Sequence, residues 1–355
     1  MNGNKTALLQ GMGTGFFYAL KNDVELLKLH LCIYVSLSAV FGFVMAQQMF
    51  SRNALLLGGA VLILSCGAAV LNNIQDREYD SFFPRTQDRS LPQKRVTVHH
   101  AAGLALLLIG CGLSGVLAMA GPIPFFWSCL SVLSYNGLYT PLKKRSLLAI
   151  IPGSVSGMLP PLIGWTTAGK PLYDPILLMI LSIFGLWQIP HFFIILLKIR
   201  PKHTQVAGVK KYPCFTHFFS ENEIKLQILI WTSLYSLALL LFLMNVTMRN
   251  QFLLGLSGFN AVIITFLVSV LLLKPGKWNI GLAFAGINLS MLFFMAAGIC
   301  DSFFITTLGK PPALPGRLPE FGIYRNIGLL FVENQVSSMV SKKYSTTEIT
   351  EERQG

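Results

Sequence analysis

The sequence predicts an all-α, polytopic membrane protein with nine transmembrane helices around a central cavity. Hydrophobic residues make up 53% of the 355 residues and charged residues only 12%, which is about half of their usual share in a soluble domain. Nine apolar runs have roughly the 20 residues that an α-helix needs to cross a bilayer. They cover residues 29–48, 54–73, 100–120, 122–139, 147–166, 176–197, 225–246, 252–273 and 278–303.

Basic residues predict which ends of these helices lie inside. The formal net charge of +13 would suggest a nucleic-acid partner for a soluble protein, but here lysines and arginines separate the apolar runs. With the N-terminus inside, the outer loops carry only Arg52, Lys170 and Arg249 as basic residues. Because positively charged loops stay in the cytoplasm, we expect the basic loops, and any active site that they form, on the cytoplasmic side. We also expect a bacterial inner membrane, the lipid bilayer as a partner and no nucleic acid.

The chain divides into three predicted parts. Residues 1–28 form an inner N-terminal segment, residues 29–303 the nine-helix domain and residues 304–355 a C-terminal tail. The tail is Pro-rich at first and then polar and charged, which predicts flexibility. Six cysteines are scattered through the chain without the short spacings of zinc or redox motifs, so neither class of site is expected.

Three oxygen-bearing side chains occur at helical spacing where the second span leaves the membrane. Asn72, Asp76 and Asp80 stand at i, i+4 and i+8, so on a helix they share one stripe. Such donors suit Mg²⁺, which prefers a few carboxylates together with phosphate oxygens. The stripe therefore predicts the metal ligands and catalytic residues of a diphosphate site. The spacing leaves open a plain alternative, a solvated charged helix end.

The distribution of charges favours the metal site. Between Glu25 and Asp174 the only carboxylates are Asp76, Glu78, Asp80 and Asp88, and carboxylates beside a membrane are functional candidates. The next inner segments supply cations that could bind the same phosphates. The expected phosphate-binding residues are Arg85, Arg89, Lys143, Lys144 and Arg145.

The charged stripe resembles a known motif. The run from Asn72 to Asp80 reads NNIQDREYD and is followed from Arg85 by RTQDRSLP, which is similar to the first Asp-rich motif of UbiA-type intramembrane prenyltransferases. Two further stretches resemble the protoheme IX farnesyltransferases, also called heme o synthases, within that superfamily. They are Tyr139–Arg145 with Gly153–Trp165, and Leu186–Phe192.

The resemblance implies a reaction. Farnesyl diphosphate would lose its diphosphate with the help of Mg²⁺, and a vinyl group of heme b would attack the allylic cation. Addition of water would give heme o. Heme-handling partner proteins are compatible with such a substrate.

His191 and two lysines are further candidates for substrate binding. His191 lies in the sixth predicted span beside Trp187 and Gln188. The residue itself favours a hydrogen-bonded buried histidine, whereas the resemblance places it in the substrate pocket and leaves heme ligation open. Lys198 and Lys202 lie just after the sixth span, where either could bind diphosphate.

The sequence departs from the family after the sixth span. Heme o synthases usually carry a second acidic element there, but the run from Lys198 to Val209 has no carboxylate. This puts a two-metal site in doubt. Cations could replace the metal ligands, or activity could be changed or lost. The alternatives to heme farnesylation are prenylation of an aromatic quinone precursor and a catalytically silent heme- or lipid-binding protein.

Overall fold

The computed structural model describes residues 20–83, 85–205, 219–246, 248–273 and 277–308, with the side chains of residues 199–205, 277–278 and 304–308 left out. This part of the chain contains no strand, and its helical segment over residues 20–27 is followed by nine further helices. They are α1 (Leu29–Gln47), α2 (Arg52–Asp80), α3 (Val98–Ala120), α4 (Pro122–Val132, continued by a π-helix over Leu133–Tyr139 and an α-turn over Thr140–Leu142), α5 (Ile150–Thr167, after a 3-10 turn at Leu147–Ala149), α6 (Pro175–Gln205), α7 (Glu221–Asn245), α8 (Gln251–Leu273) and α9 (Lys277–Leu308). The all-α class is confirmed, while the predictions for residues 1–19 and 309–355 lie outside the described residues.

Eight of these helices are individually long and apolar enough to span a membrane. The exception in the described chain is α4, which the π-helix divides into shorter pieces. Apolar side chains cover the outside of the bundle, including Leu106 at 72% exposure and Phe252 at 73%. A soluble protein rarely exposes so much apolar surface, so the chain is an integral membrane protein.

Local sequence explains where several helices begin and end. Thr97 caps α3 by accepting a hydrogen bond from the His100 backbone N–H, and Ser220 and Glu223 form a reciprocal capping box at the start of α7. Gly121 separates α3 from α4 with a φ of 80°, a left-handed conformation that glycine adopts without strain. Pro122 follows as the first residue of α4, where its missing N–H costs nothing.

Helices that follow each other in the chain mostly pack side by side. Contacts also join α1 to α5 and α9, and α6 to α9, so α1 has neighbours from both halves of the chain. The largest apolar cluster fills the space between these helices. It includes Phe41, Trp165, Phe184, Tyr235 and Phe294.

Glycines allow α1 and α5 to approach closely. A Cβ atom on Gly164 would lie 2.6 Å from the Phe43 backbone nitrogen, and one on Gly42 would lie 2.7 Å from the Pro161 carbonyl carbon. Such small residues let transmembrane helices pack backbone to backbone. The part of the Gly153–Trp165 stretch that contains Pro161 and Gly164 is therefore a packing element.

Three helices continue five or more residues past their predicted spans, and one of them is α9, which ends at Leu308 and not at residue 303. The second span was predicted to end at residue 73, but α2 continues to Asp80, and α6 continues past residue 197 to Gln205. We call the bundle end that carries Asp80, Lys143 and Lys198 the inner end. The extension of α2 places the predicted metal-binding stripe on regular helix.

Candidate active site

The predicted stripe lies on the last turns of α2 and is largely buried. Asn72 is 2% exposed and Asp76 is 8% exposed. The Asn72 amide nitrogen donates to Asp76 Oδ2 and to Thr140 Oγ1, each over 3.0 Å. The amide oxygen of Asn72 accepts a 2.9 Å hydrogen bond from Lys28 Nζ. Asn72 thus connects α2 to α4 and to the segment before α1.

Asp76 is neutralised by two lysines that follow α4. Lys143 Nζ lies 2.6 Å from Asp76 Oδ2, and Lys144 Nζ lies 2.9 Å from Asp76 Oδ1. Lys144 also donates to the Gln75 carbonyl oxygen over 2.6 Å and lies 4.4 Å from the centre of the Tyr79 ring. Burial lowers the pKa of Lys143, and the attraction of Asp76 partly offsets this effect. Removing the Lys143 ammonium group from water therefore costs free energy, which its ion pair with Asp76 partly offsets.

The π-helical part of α4 fixes these lysines against α2. Asn136 donates to the Ala68 carbonyl oxygen over 3.0 Å and to Gln75 Oε1 over 3.2 Å, and Gln75 donates back to the Asn136 carbonyl oxygen over 2.9 Å. π-Helical turns within α-helices frequently occur at functional sites. Here the turn brings the end of α4 to Asp76.

Asp80 pairs with an arginine from the loop after α2. Arg89 Nη1 lies 2.8 Å from Asp80 Oδ2. The loop is fastened to the N-terminal segment, because Glu25 accepts hydrogen bonds from the Ser90 backbone N–H and hydroxyl over 3.1 and 2.6 Å and from Arg95 Nη2 over 3.2 Å. Glu25 thus holds the loop that presents Arg89.

The Glu25 contacts lead to a testable prediction. Glu25→Gln should loosen residues 85–96, because a neutral amide binds Ser90 and Arg95 less strongly than a carboxylate does. We expect faster amide hydrogen exchange in this loop and a loss of prenyl-transfer rate of a few fold. Glu78→Gln is the control, since exposed Glu78 pairs with adjacent Arg77. Unchanged exchange in Glu25→Gln would contradict the prediction.

Lys28 is a site residue that the sequence did not reveal. It precedes α1 with a φ of 49° and a ψ of 46°, a left-handed conformation that is uncommon for residues other than glycine. Burial and the nearby positive charges of Arg89 and Lys143 lower the pKa of Lys28 to about 8, although Asp76 and Asp80 attract its ammonium group. The site therefore has an excess of positive charge that an anion would relieve.

A cavity opens beside these charges at the inner end. Its volume is about 400 Å³, and its lining includes Lys28, His30, Asn73, Asp80 and Arg89. Four cations (Lys28, Arg89, Lys143 and Lys144) face two carboxylates (Asp76 and Asp80) in this cluster, and 4 − 2 gives a net charge of +2. Of these six residues only Lys28, Arg89 and Asp80 line the cavity, where Glu25 adds a second carboxylate. The excess positive charge therefore belongs to the wider cluster, and it suits a multiply charged anion such as diphosphate.

The other predicted substrate-binding residues lie elsewhere. Arg145 is exposed. Arg85 is also an exposed residue, but partial burial lowers its pKa, and it lies close enough to Arg89 and Asp80 for their charges to lower and raise this pKa respectively. Half-buried His191 and exposed Lys198 contact the ring of Phe284 on α9. The side chain of Lys202 lies outside the described side chains.

The donor set at α2 fits a magnesium ion that is completed by substrate. No group of three or more His, Cys, Asp or Glu side chains in the described chain is arranged to hold a metal. Mg²⁺, however, is commonly bound by one or two carboxylates plus phosphate oxygens and water. Asp76 and Asp80 provide two carboxylates on one helix face. Asn72 lies one turn before Asp76, with its amide nitrogen towards Asp76 and its amide oxygen towards Lys28, so the oxygen would have to leave Lys28 to bind a metal.

Two tyrosine rings of α4 stack near the carboxylates, and only Tyr139 belongs to a stretch that resembles the family. Tyr135 and Tyr139 of α4 stack with their ring centres 5.8 Å apart, and Lys143 Nζ lies 5.4 Å from the Tyr139 ring centre. Tyr135, Tyr139 and Lys143 are each four residues apart. This helical spacing, which ends at the Lys143–Arg145 cluster, could have indicated the two tyrosines from sequence. Trp165, by contrast, is 2% exposed and donates to the Pro171 carbonyl oxygen over 3.0 Å, as expected of a packing residue.

One protein-family model matches most of the chain. The model of the UbiA prenyltransferase family matches residues 35–284. This chain is a member of the UbiA prenyltransferase family. The matched region contains the whole stripe on α2 and the lysines that follow α4, so the family match and the charged cluster fall on the same part of the molecule.

Curated relatives of this UbiA family member include two similar bacterial proteins named protoheme IX farnesyltransferase. The one from Geobacter sulfurreducens is 36% identical over 174 residues, which is 49% of this chain and 64% of that protein. The one from Oleidesulfovibrio alaskensis is 30% identical over 291 residues, which is 79% of this chain and 96% of that protein. The second match extends over nearly the full length of its relative.

Solved structures confirm the fold of this family member. A UbiA homologue from Archaeoglobus fulgidus bound to GPP and Mg²⁺ is similar with a TM-score of 0.59 and 15% identity, over 79% of this chain and 99% of that chain. A digeranylgeranylglyceryl phosphate synthase has a TM-score of 0.59 at 16% identity, over 80% of this chain and 98% of that chain. At such identities the likeness concerns the fold.

Proposed function

We propose that the chain transfers the farnesyl group of farnesyl diphosphate to a vinyl group of heme b, giving heme o. Relatives named protoheme IX farnesyltransferase support the donor and the acceptor. The observation that carries the proposal is the buried cluster in which Asp76 and Asp80 meet four cations at the inner end. Cations and a metal held by carboxylates at the mouth of an apolar bundle are suited to stabilise the charge that develops on a departing diphosphate.

The proposed cofactor is Mg²⁺, held by Asp76, Asp80 and the Asn72 amide oxygen. When bound, it would neutralise part of the negative charge that accumulates on the departing diphosphate. The residues of the chain supply the rest. Lys143 and Lys144 now bind Asp76, and they would move their hydrogen bonds to phosphate oxygens once those carboxylate oxygens are engaged. Arg89 and Lys28, which line the cavity, would likewise move their hydrogen bonds from Asp80 and Asn72 to phosphate oxygens.

The proposed reaction balances as follows. The bond between C1 of the farnesyl group and the diphosphate oxygen breaks, and its electron pair leaves with diphosphate. The terminal vinyl carbon of heme b forms a new bond to C1. Water adds to the other vinyl carbon, and one proton is released to solvent. The stacked rings of Tyr135 and Tyr139 could face the allylic cation and stabilise it.

We further propose that the inner end faces the cytoplasm of a bacterium, where both substrates are available to the membrane. The loops and helix ends at this end carry Lys28, Arg77, Arg89, Arg95 and Lys143, in agreement with the rule that positive loops stay inside. Heme-handling proteins could deliver the acceptor from the same side.

The function is tested by incubating the purified full-length protein with farnesyl diphosphate, Mg²⁺ and heme b. We expect heme o, identified by chromatography and mass. Parallel reactions with 4-hydroxybenzoate test prenylation of an aromatic quinone precursor. Prenylation of that acceptor with heme b untouched would overturn the proposal, and so would heme binding without any prenylated product.

Lys28 provides a sharper prediction within this function. Lys28→Met should raise the KM for farnesyl diphosphate by about tenfold or more, because a charge-assisted hydrogen bond contributes about 1.5–3 kcal/mol. Steady-state kinetics with heme b in excess measure the change. Lys21→Met is the matched control, since Lys21 is exposed in the same N-terminal segment. A KM that does not respond to Lys28→Met would remove this residue from the diphosphate site.

A further inference from the structure

His191 is held between α6 and α9 by a chain of hydrogen bonds. The Asn288 amide nitrogen donates to the Phe284 carbonyl oxygen over 2.6 Å, and the Asn288 amide oxygen lies 3.0 Å from His191 Nδ1. One helical turn before His191, Trp187 Nε1 donates to the Ile287 carbonyl oxygen over 3.1 Å. The imidazole is therefore fixed in position by contacts across two helices.

These contacts determine the tautomer of His191. Because the Asn288 nitrogen is engaged as a donor to the Phe284 carbonyl, its oxygen faces the imidazole and can only accept. The hydrogen of a neutral His191 must then lie on Nδ1, which leaves a lone pair on Nε2. No hydrogen-bond partner of Nε2 occurs in the described part of the chain. The contact between α6 and α9 uses only Nδ1, so Nε2 remains available to bind a ligand.

The surroundings of His191 suit a large, flat, aromatic ligand. Its ring centre lies 5.1 Å from that of Trp187 and 4.9 Å from that of Phe284. Trp187 in turn stacks on Tyr34 with 5.4 Å between ring centres. The Tyr34 hydroxyl is buried without a hydrogen-bond partner among the described residues, which leaves a polar group for a bound molecule to satisfy.

A cation lies on the same face of α6, closer to the inner end. Lys198 follows His191 by two helical turns, or about 10 Å of helix rise, and its ammonium group lies 5.6 Å from the ring centre of Phe284, which also contacts His191. This separation is comparable with that between the iron and a propionate carboxylate of heme. Lys198 could therefore pair with a propionate while His191 reaches the iron.

We propose that His191 is the axial ligand of the heme acceptor through Nε2, and that Asn288 is a positioning residue that fixes the tautomer required for ligation. The inference rests on the proposed function for the identity of its ligand. A histidine that donates its second N–H to an oxygen is oriented and made more basic as a ligand. An electron-rich iron porphyrin would stabilise the positive charge that develops on the vinyl carbon next to the ring when the new carbon–carbon bond forms.

The experiment titrates ferric heme b into the purified full-length protein without farnesyl diphosphate. Absorption and electron paramagnetic resonance spectra report the iron ligand, and the titration gives the affinity. We expect an imidazole-ligated spectrum for the wild type, its loss in His191→Gly with at least about tenfold weaker binding, and its recovery on addition of imidazole. His100→Gly is the matched control, because exposed His100 pairs with Asp23 at the inner surface.

Asn288→Asp tests the second part of the proposal and serves if His191→Gly does not fold. A carboxylate accepts more strongly from Nδ1, so the heme reduction potential should fall relative to the wild type. A wild-type spectrum and affinity in His191→Gly, or an unchanged potential in Asn288→Asp, would overturn the ligation. Heme o formed by a protein indifferent to His191 contradicts only the ligation, whereas ligated heme that is never farnesylated contradicts only the proposed function.

Discussion

Asp76→Asn should lower the rate of farnesyl transfer by about 100-fold or more, the size of effect seen when a central electrostatic group is removed from an active site. Asp76 is 8% exposed and contacts Asn72, Lys143 and Lys144. Asparagine keeps the size of the side chain but removes its charge, so Mg²⁺ would lose a ligand and two lysines would lose their partner. Single-turnover assays with saturating farnesyl diphosphate and heme b measure the effect on the chemical step.

The control for this prediction lies on the same helix. Glu78→Gln removes one negative charge two residues away from an exposed side chain whose ion pair is with adjacent Arg77, and its rate should stay near that of the wild type. Asp80→Asn should behave like Asp76→Asn, since Asp80 is the second carboxylate of the stripe. Thermal unfolding in detergent separates lost chemistry from lost folding. Wild-type turnover in both Asp76→Asn and Asp80→Asn would refute the assignment of this stripe.

The helices could be predicted from sequence because each transmembrane helix is a continuous apolar run. The predicted first span ended at residue 48 and α1 ends at Gln47, while the eighth began at residue 252 and α8 begins at Gln251. Apolar runs are local and must match the thickness of the bilayer. The inner ends of α2 and α6 were missed because polar residues continue a helix there once it has left the apolar region.

The site was predictable only where its residues form a local pattern. Asn72, Asp76 and Asp80 share a helix face, and Lys143 and Lys144 stand out as a cluster, so spacing and resemblance were enough to select them. Lys28 joins Asn72 across 44 residues of sequence and Glu25 joins Ser90 across 65. No period or motif predicts such contacts, because they depend on how helices pack. Long-range packing also gave Asn288 its place beside His191.

The same distinction applies to the stretch that ends at Trp165. This stretch resembles heme o synthases in sequence, and its Gly164 lies where the backbone of α5 meets that of α1. A stretch that resembles a family can thus owe its residues to helix packing and not to contact with substrate. Since α1 follows Lys28 directly, an error in this packing would also displace a cation from the diphosphate pocket.

Gly164→Val should therefore prevent accumulation of folded protein. A Cβ atom at this position would lie 2.6 Å from the Phe43 backbone nitrogen and 3.0 Å from the Ala39 carbonyl carbon, and neither atom can move without shifting α1. Overpacking of a close interface costs about 1–3 kcal/mol even where side chains can adjust, and here the obstacle is backbone. The yield of monodisperse protein after membrane extraction and its thermal unfolding temperature measure the effect.

Gly110→Val is the matched control, because Gly110 lies on the exposed side of α3 with nothing within 4 Å of an added Cβ atom. The same substitution there should leave yield and unfolding temperature near those of the wild type. Gly164→Val protein that folds with wild-type stability would mean that α1 and α5 are further apart than described. The contact between Lys28 and Asn72 would then be in question as well, because Lys28 directly precedes α1, the helix that packs against Gly164.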